Sequence, residues 1–455
     1  MDFAALECMS CHRRYSTDRA QYRCLACGEL LDVVYDFPVK DPEELKTRWQ
    51  QRRLSDDPID VSGVWRYREL IPFYRDTSNI VTYPEGNTPL VDAPRSAAYA
   101  GLRRLQVKHQ GFNPTGSFKD NGMTTGVTQA RVLGRNAVAC ASTGNTSAAM
   151  AAYASRAGML GIVLVPDGQI AFAKLSQSLE YGALTLQIGG DFDVAMRLVE
   201  EITADVGIYL LNSLNPFRLE GQKTIMVEML RQRGWVVPDR VVVPGGNLGN
   251  SSAFGKALKE LFDLGLIDRL PKITIVQARG ADPLYQTITS STPDHLVTVH
   301  AKTLATAIKV GEPVSWKKAK RAMEWTNGWV AEVGEQEIAD AKAIIGQDGI
   351  GCEPASATAL AGIKQLVENG TDEEVERDED VVAILTGHVL KDPDYTVRYH
   401  LGELFAEYVT ETSVISKSEP LNSTFGNKPV HVEGTRDAIL KVIYEEAARR
   451  GITIA

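Results

Sequence analysis

Four groups of residues in the 455-residue chain have the types and spacing to do chemistry. The first is a single lysine, Lys119, set in NPTGSFKDN (Asn113 to Asn121) behind a proline, a glycine and a serine, just ahead of a helical pattern. Most lysines are solvated and need no such setting, so Lys119 acquires a role only if other residues give it one. The second is RVVVPGGNLGNSSAFGKAL, Arg240 to Leu258, which reads as a strand, a Gly/Asn-rich loop and a helix starting near Ser251. Glycines allow close approach, and the unpaired N–H groups and dipole of a first helical turn favour an anion, so a phosphate fits there. GGNLG has neither the GxGxxG spacing of a dinucleotide fold nor the Lys-Ser/Thr of a P-loop, which leaves the phosphate of some other cofactor. A glycine turn that binds nothing is the plain alternative. The third group is CASTGNTSAAMAAYA, Cys140 to Ala154, where Ser142, Thr143, Asn145, Thr146 and Ser147 surround one glycine. One Ser or Thr would serve as an N-cap; this many polar side chains suit a bound carboxylate or phosphate.

The fourth group is two cysteine pairs, Cys8-x2-Cys11 and Cys24-x2-Cys27, with twelve residues between them. A two-residue gap lets both thiolates of a pair face one centre, and two pairs complete a tetrahedron about Zn²⁺. Four sulfur ligands leave no open position, so such a zinc is structural, and His12 is a bystander. Two disulfides are the competing reading, disfavoured in a reducing compartment. Cys140 and Cys352 lie in apolar or helix-start contexts and read as small buried hydrophobes.

Taken together, an amine at a strand–helix junction, a polar turn and a phosphate loop describe a pyridoxal 5′-phosphate site. There the lysine forms an imine with the cofactor aldehyde and the ring acts as an electron sink.

The elements that must position these groups follow from periodicity. Short β-branched runs, LQVKH, AVACAS, GIVLVP, ALTLQI, IYLLN, RVVVP, ITIVQA and VVAILTG, alternate with helix-period stretches such as AKLSQSLEYG and DVAMRLVEEITADVG. That alternation predicts an α/β fold with a mostly parallel sheet and helices on both faces. Residues 1–40 stand apart as a small cysteine-rich module, DPEELKTRWQQRRL reads as a charged helix, and YPEGNTPL reads as loop. Residues 368–380 form an acidic run, read as a solvated linker, and TRDAILKVIYEEAARRG near the C-terminus is helical.

Composition narrows the class. With 44% hydrophobic and 24% charged residues and no apolar run near the length of a bilayer span, no membrane partner is expected. The formal charge of −9 disfavours bulk affinity for nucleic acid and makes a small molecule the better default partner. The N-terminus has no basic region followed by an apolar core, so a cytoplasmic location is expected.

At these residues the chain resembles the threonine synthases, fold type II pyridoxal-phosphate enzymes of tryptophan synthase β-like architecture. The resemblance covers nearly the whole chain through YPEGNTPL, NPTGSFKDN, STGNTSAAMAAYA, LNSLNPFRLEGQKT, PGGNLGN, EPASATALAG and LTGHVLKDPD, and some members carry an N-terminal zinc ribbon. It implies a ribbon over residues 1–40, a large cofactor-binding domain over 41–119 and 226–455, and a smaller mobile domain over 120–225. It makes Lys119 the imine-forming lysine, held by Phe118 to Asn121, with Asn145 on the cofactor 3′-hydroxyl. Gly245, Gly246, Asn247, Leu248, Gly249 and Asn250 match the loop that takes the cofactor phosphate through backbone N–H groups, and Thr386 matches the hydroxyl that faces the pyridine nitrogen. Ser142, Thr143 and Thr146 match the substrate carboxylate site. Lys174, Asn212 and Arg218 are the candidates for the substrate phosphate, with Thr88 lining the same cavity, because a dianion needs cationic donors and arginine grips it bidentately. Glu353 has two readings, a cofactor contact or an anchor for EPASA. One departure stands out: Val389 occupies a position where the family commonly has glycine.

The implied reaction converts O-phospho-L-homoserine and water into L-threonine and phosphate. The competing readings are a β-replacement enzyme resembling cysteate synthase, a serine/threonine dehydratase, and a zinc-ribbon nucleic-acid binder on a dead scaffold. Sequence does not fix the oligomeric state; a homodimer is one expectation.

Overall fold

The computed structural model describes residues 3–166, 172–189, 192–369, 375–406 and 421–454. The chain divides into two compact units, Met1–Pro393 and Asp394–Ala455. The second unit contains the helix Arg436–Arg449, started by the Thr435 hydroxyl accepting the Ala438 N–H.

The first unit holds three sheets. Strands β1 (Ala4–Cys8), β2 (Arg14–Tyr15) and β3 (Leu31–Tyr35) pair antiparallel in the order β2-β1-β3. A six-stranded sheet contains β4 (Leu90–Asp92), β5 (Leu105–His109), β10 (Arg240–Pro244), β11 (Lys272–Ala278), β12 (Trp329–Val333) and β13 (Val381–Leu385), in the order β12-β11-β10-β13-β5-β4. Only β4 runs antiparallel to its neighbour. A four-stranded parallel sheet contains β6 (Ala137–Ala141), β7 (Leu160–Pro166), β8 (Leu184–Ile188) and β9 (Tyr209–Leu210), in the order β8-β7-β6-β9.

The central strands β10 and β13 are buried at every position. Covered on both faces, they carry continuous β-branched and aliphatic runs rather than alternation. Val241, Val243, Ile273, Ile275, Val382 and Ile384 form one core with Leu230, Phe254 and Leu258 of the flanking helices. Each run singled out from periodicity contains a strand. Besides the three short strands of the N-terminal sheet, two strands escaped it: β4, which has only three residues, and β12, where the polar Glu332 breaks the apolar run and pairs with Arg279 at 2.8 Å.

Two helices carry the site. Lys119–Val132 packs on Pro216–Gln232, whose start is fixed by Pro216 and by the Asn215 side chain accepting the Phe217 N–H at 3.0 Å. Their crossing is tight because Gly221 has no side chain: a Cβ there would lie 1.7 Å from the Asn121 carbonyl oxygen. The approach brings Arg218 against Gly122 and Gly126, beside the start of the Lys119 helix.

Candidate active site

The groups of interest leave the C-terminal ends of parallel strands, where open α/β sheets bind ligands. β13 delivers Thr386, β10 the glycine loop, and β6 the Ser142 turn. Lys119 is the first residue of its helix, and the loop before it is stitched to the end of β13. The Phe118 N–H donates to the Thr386 carbonyl at 3.0 Å, and the His388 N–H donates to the Gly116 carbonyl at 2.9 Å. The Lys119 Nζ lies 4.4 Å from the Phe118 ring centroid. Burial lowers the amine to about 7, with Arg218 lowering it further and Glu353 opposing. A neutral amine is therefore present near pH 7, which imine chemistry requires. Beside it, Asp120 accepts from the Thr115 N–H (3.1 Å) and hydroxyl (2.8 Å), and burial raises its carboxyl to about 7.

The helix after the glycine loop is Gly249–Asp263, beginning two residues earlier than its sequence suggested, with Leu248 left-handed at φ 63°. Among the loop's N–H groups, that of Gly245 is already donated to Val276 at 2.7 Å, so Gly245 extends the ladder of β10 rather than facing the loop's interior. Gly246 permits the close pass of Ile308, whose Cα would be 3.2 Å from a Cβ at that position. The Asn250 amide and the Ser251 hydroxyl are buried without a hydrogen-bond partner. Orphaned buried donors at a helix N-terminus suit a bound anion, so the loop fits the cofactor phosphate.

Asn145 begins the helix Asn145–Ala157, and its Nδ2 donates to Glu353 Oε2 at 2.9 Å. The other Glu353 oxygen accepts from the Thr386 hydroxyl at 3.1 Å. Asn145 and Thr386, 241 residues apart in sequence, thus flank one carboxylate beside Lys119. Ser142, Thr143 and Thr146 are half-buried at the mouth of the turn, and the Ser142 hydroxyl accepts the Gly144 N–H at 3.2 Å.

The phosphate candidates divide. Arg218 is buried; its Nη1 donates to the Leu211 carbonyl at 2.9 Å, while its Nε has no partner. Burial lowers its guanidinium to about 10. Asn212 has both amide atoms on Ala141, accepting its N–H and donating to its carbonyl at 3.0 Å each, so it braces the end of β6 next to the Ser142 turn. Thr88 is fully buried and its hydroxyl accepts from Gln110 at 2.8 Å, which makes it a support of the YPEGNTPL loop. Lys174 lies on the helix Phe172–Glu180, with its side chain outside the described residues.

Sequence reasoning missed several supports. Lys108, fully buried, donates to the Thr88 carbonyl at 2.6 Å and pairs with Glu228 at 2.9 Å. Asn113 accepts the Gly86 N–H at 2.8 Å, tying YPEGNTPL to the lysine loop. A charged residue inside a strand, as in LQVKH, was the available signal. Val389 packs beside Gly351, within 3.2 Å of where a Cβ would sit on that glycine. Burial raises Cys140 and Cys352 to about 12, in keeping with unreactive thiols.

The Sγ atoms of Cys8, Cys11, Cys24 and Cys27 all lie within 4.8 Å of one another and form no disulfide. Their nearest separations, 3.5 Å for Cys8–Cys27 and for Cys11–Cys24, approach the tetrahedron edge of about 3.8 Å set by Zn–S bonds of about 2.3 Å. The donor set fits a metal. The His12 ring turns outward to Glu7 at 3.3 Å.

Comparison with known proteins agrees with this geometry. A family profile described as "Pyridoxal-phosphate dependent enzyme" matches residues 81–387. Threonine synthase of Methanocaldococcus jannaschii is 46% identical over 392 residues, covering 86% of this chain and 94% of the relative. Threonine synthase 2, chloroplastic, of Arabidopsis thaliana is 40% identical, covering 85% and 76%. In fold, the chain is similar to the crystal structure of threonine synthase from Escherichia coli, with a TM-score of 0.62 at 18% identity over 97% of this chain and all of that one. Among the described residues no helix is long and apolar enough to cross a membrane. With a buried lysine, a glycine loop whose donors suit an anion and an Asn–Glu–Thr bridge on such a fold, and with relatives this similar over most of their length, the chain belongs to the threonine synthase family of pyridoxal-phosphate-dependent enzymes.

Proposed function

We propose that the chain converts O-phospho-L-homoserine and water into L-threonine and phosphate. The observation that carries the reading is the Lys119 amine, lowered to about 7 between Arg218 and Glu353. Such an amine exchanges protons readily near neutral pH. Pyridoxal 5′-phosphate, when bound, supplies the sink for the electrons left at Cα. Lys119 and the loop Gly246–Asn250 would hold it, with Asn145 and Thr386 on its polar edges.

The chain's own residues do the rest. Ser142, Thr143 and Thr146 take the substrate carboxylate at the N-terminus of the Asn145 helix. Arg218, with an unpartnered Nε, takes the substrate phosphate, and Lys174 is assigned to the same anion. Lys119 removes a proton from Cα and then one from Cβ. The Cγ–O bond breaks with its electron pair leaving on phosphate, Cγ is protonated to the methyl group, and water adds at Cβ while Cα regains a proton. Closure of residues 120–225 over the cleft would exclude water until that addition. Cys8, Cys11, Cys24 and Cys27 hold a structural Zn²⁺, and the net acidity supports a small-molecule substrate in preference to nucleic acid.

The test is incubation of the cofactor-loaded protein with phosphohomoserine, following free phosphate and threonine together. Equal amounts of both are expected. Phosphate release without threonine, or activity only with phosphoserine and sulfite, would overturn the assignment.

A further inference from the structure

One strand of the N-terminal sheet, β3, grips two packed helices, Gly249–Asp263, which follows the glycine loop, and Trp316–Thr326, whose N-terminal end contacts that loop. From β3, the Leu31 carbonyl accepts from Lys318 Nζ at 2.6 Å, and the Asp32 carboxylate pairs with Lys318 at 2.8 Å and Arg321 at 2.7 Å. Lys318 and Arg321 belong to the helix Trp316–Thr326. The Val33 carbonyl of the same strand accepts from Lys256, on the helix after the glycine loop, and Glu29 pairs with Lys317. Lys256 also pairs with Glu220, which with Glu260 shares Lys223 at 2.8 and 2.6 Å.

At their other contacts the two helices are locked together. Gly255 packs directly on Ala322, with room for no side chain: a Cβ there would lie 2.2 Å from the Ala322 Cβ. At the N-terminal ends, the Ser252 hydroxyl donates to the Leu248 carbonyl at 2.7 Å and the Ser315 carbonyl at 3.3 Å. The Val314 N–H donates to Asn247 Oδ1 at 3.2 Å. Lys318 therefore sits in the first turn of the helix, four residues after Val314, which contacts Asn247 in the loop.

We propose that Lys318, Arg321 and Lys256 are positioning residues through which the ribbon strand β3 sets the geometry of the cofactor-phosphate loop. The ribbon thereby controls cofactor affinity as well as local stability. Close-packed elements transmit such displacement because they lack the free volume to absorb it. The inference rests on the reading of Gly246–Asn250 as the phosphate site.

The experiment titrates the cofactor-free full chain with pyridoxal 5′-phosphate and reads the visible absorbance, for the wild type, Lys318→Met and Ser252→Ala. Urea unfolding midpoints and kcat at saturating cofactor are measured in parallel. Lys318→Met is expected to weaken binding about 2- to 30-fold with kcat little changed, the range of such indirect couplings. The double variant is expected to lose less than the sum of the single losses, because both substitutions cut one path. If Lys318→Met fails to fold, Arg321→Gln, which keeps Lys318 on Asp32, is read by the same criteria with a smaller loss. A lowered unfolding midpoint with unchanged cofactor affinity would overturn the proposal and leave the ribbon a purely stabilising module. A wild-type chain that takes up no cofactor would overturn the site reading and this inference together.

Discussion

Glu353 ties Asn145 to Thr386, accepting from the amide of one at 2.9 Å and from the hydroxyl of the other at 3.1 Å. Asn145 follows a strand of the four-stranded sheet and Thr386 a strand of the six-stranded one, so a single carboxylate spans the cleft between them. Its placement is enforced, since the Glu353 N–H donates to the Gly387 carbonyl at 3.1 Å and a Cβ on Gly387 would lie 2.4 Å from the Glu353 carboxyl carbon. Glu353→Ala leaves the buried Thr386 hydroxyl and the half-buried Asn145 amide without that partner. It should lower kcat/KM about 5- to 150-fold, the cost of stranding such groups. Glu353→Gln, which retains one acceptor oxygen, should lose less, and steady-state kinetics of the two variants checks the order.

Lys119→Ala should abolish threonine formation and the visible absorbance of bound cofactor, while far-ultraviolet circular dichroism stays unchanged. In the wild type, the reactive form is the neutral amine, and burial lowers its pKa to about 7. The rate of cofactor capture by cofactor-free protein should therefore rise with pH up to about 7 and level off above it. Stopped-flow absorbance across pH 5–9 reads this; a rate still rising tenfold per unit above pH 8 would contradict it.

Asp120 should leave a signature in stability. Its carboxyl rises from an ordinary 3.8 to about 7 in the fold, so between these values the folded state holds a proton that the unfolded state has lost. The contribution is complete below about pH 4 and disappears as pH climbs through 7. Relative to the wild type, cofactor-free Asp120→Asn should gain stability as pH rises from 5 to 8. Urea unfolding midpoints at the two pH values check the sign.

Gly221→Ala tests the helix crossing that brings Arg218 to Lys119. A methyl group 1.7 Å from the Asn121 carbonyl cannot be accommodated without separating the helices. The expected loss is about 1–3 kcal/mol of stability, as for other overpacked cores, with a raised KM for phosphohomoserine. Denaturant unfolding and initial-rate kinetics measure the two effects.

Cys11→Ser should eliminate bound zinc, read by elemental analysis of the purified chain, because a three-sulfur remnant holds it far less well. The same variant should expose the backbone amides of residues 4–35 to hydrogen exchange, since metal binding in such modules is folding free energy. Unchanged protection without metal would show that the small sheet stands on its own packing.

Local chemistry made much of this protein legible from sequence. β-branched runs marked most strands of the two larger sheets because buried parallel strands tolerate little else, and glycines with polar neighbours marked the strand-to-helix turns around Asn145 and Asn247. The cysteine spacing marked the cluster that the fold draws together. What sequence left undecided were contacts between residues far apart along the chain. Only the closed tertiary structure put Glu353 between Asn145 and Thr386, committed the Gly245 N–H to β11, turned the Asn212 amide onto Ala141, and laid Asp32 across Lys318 and Arg321. Periodicity depends on a residue's near neighbours, and a hydrogen bond across hundreds of residues depends on how every intervening element packs.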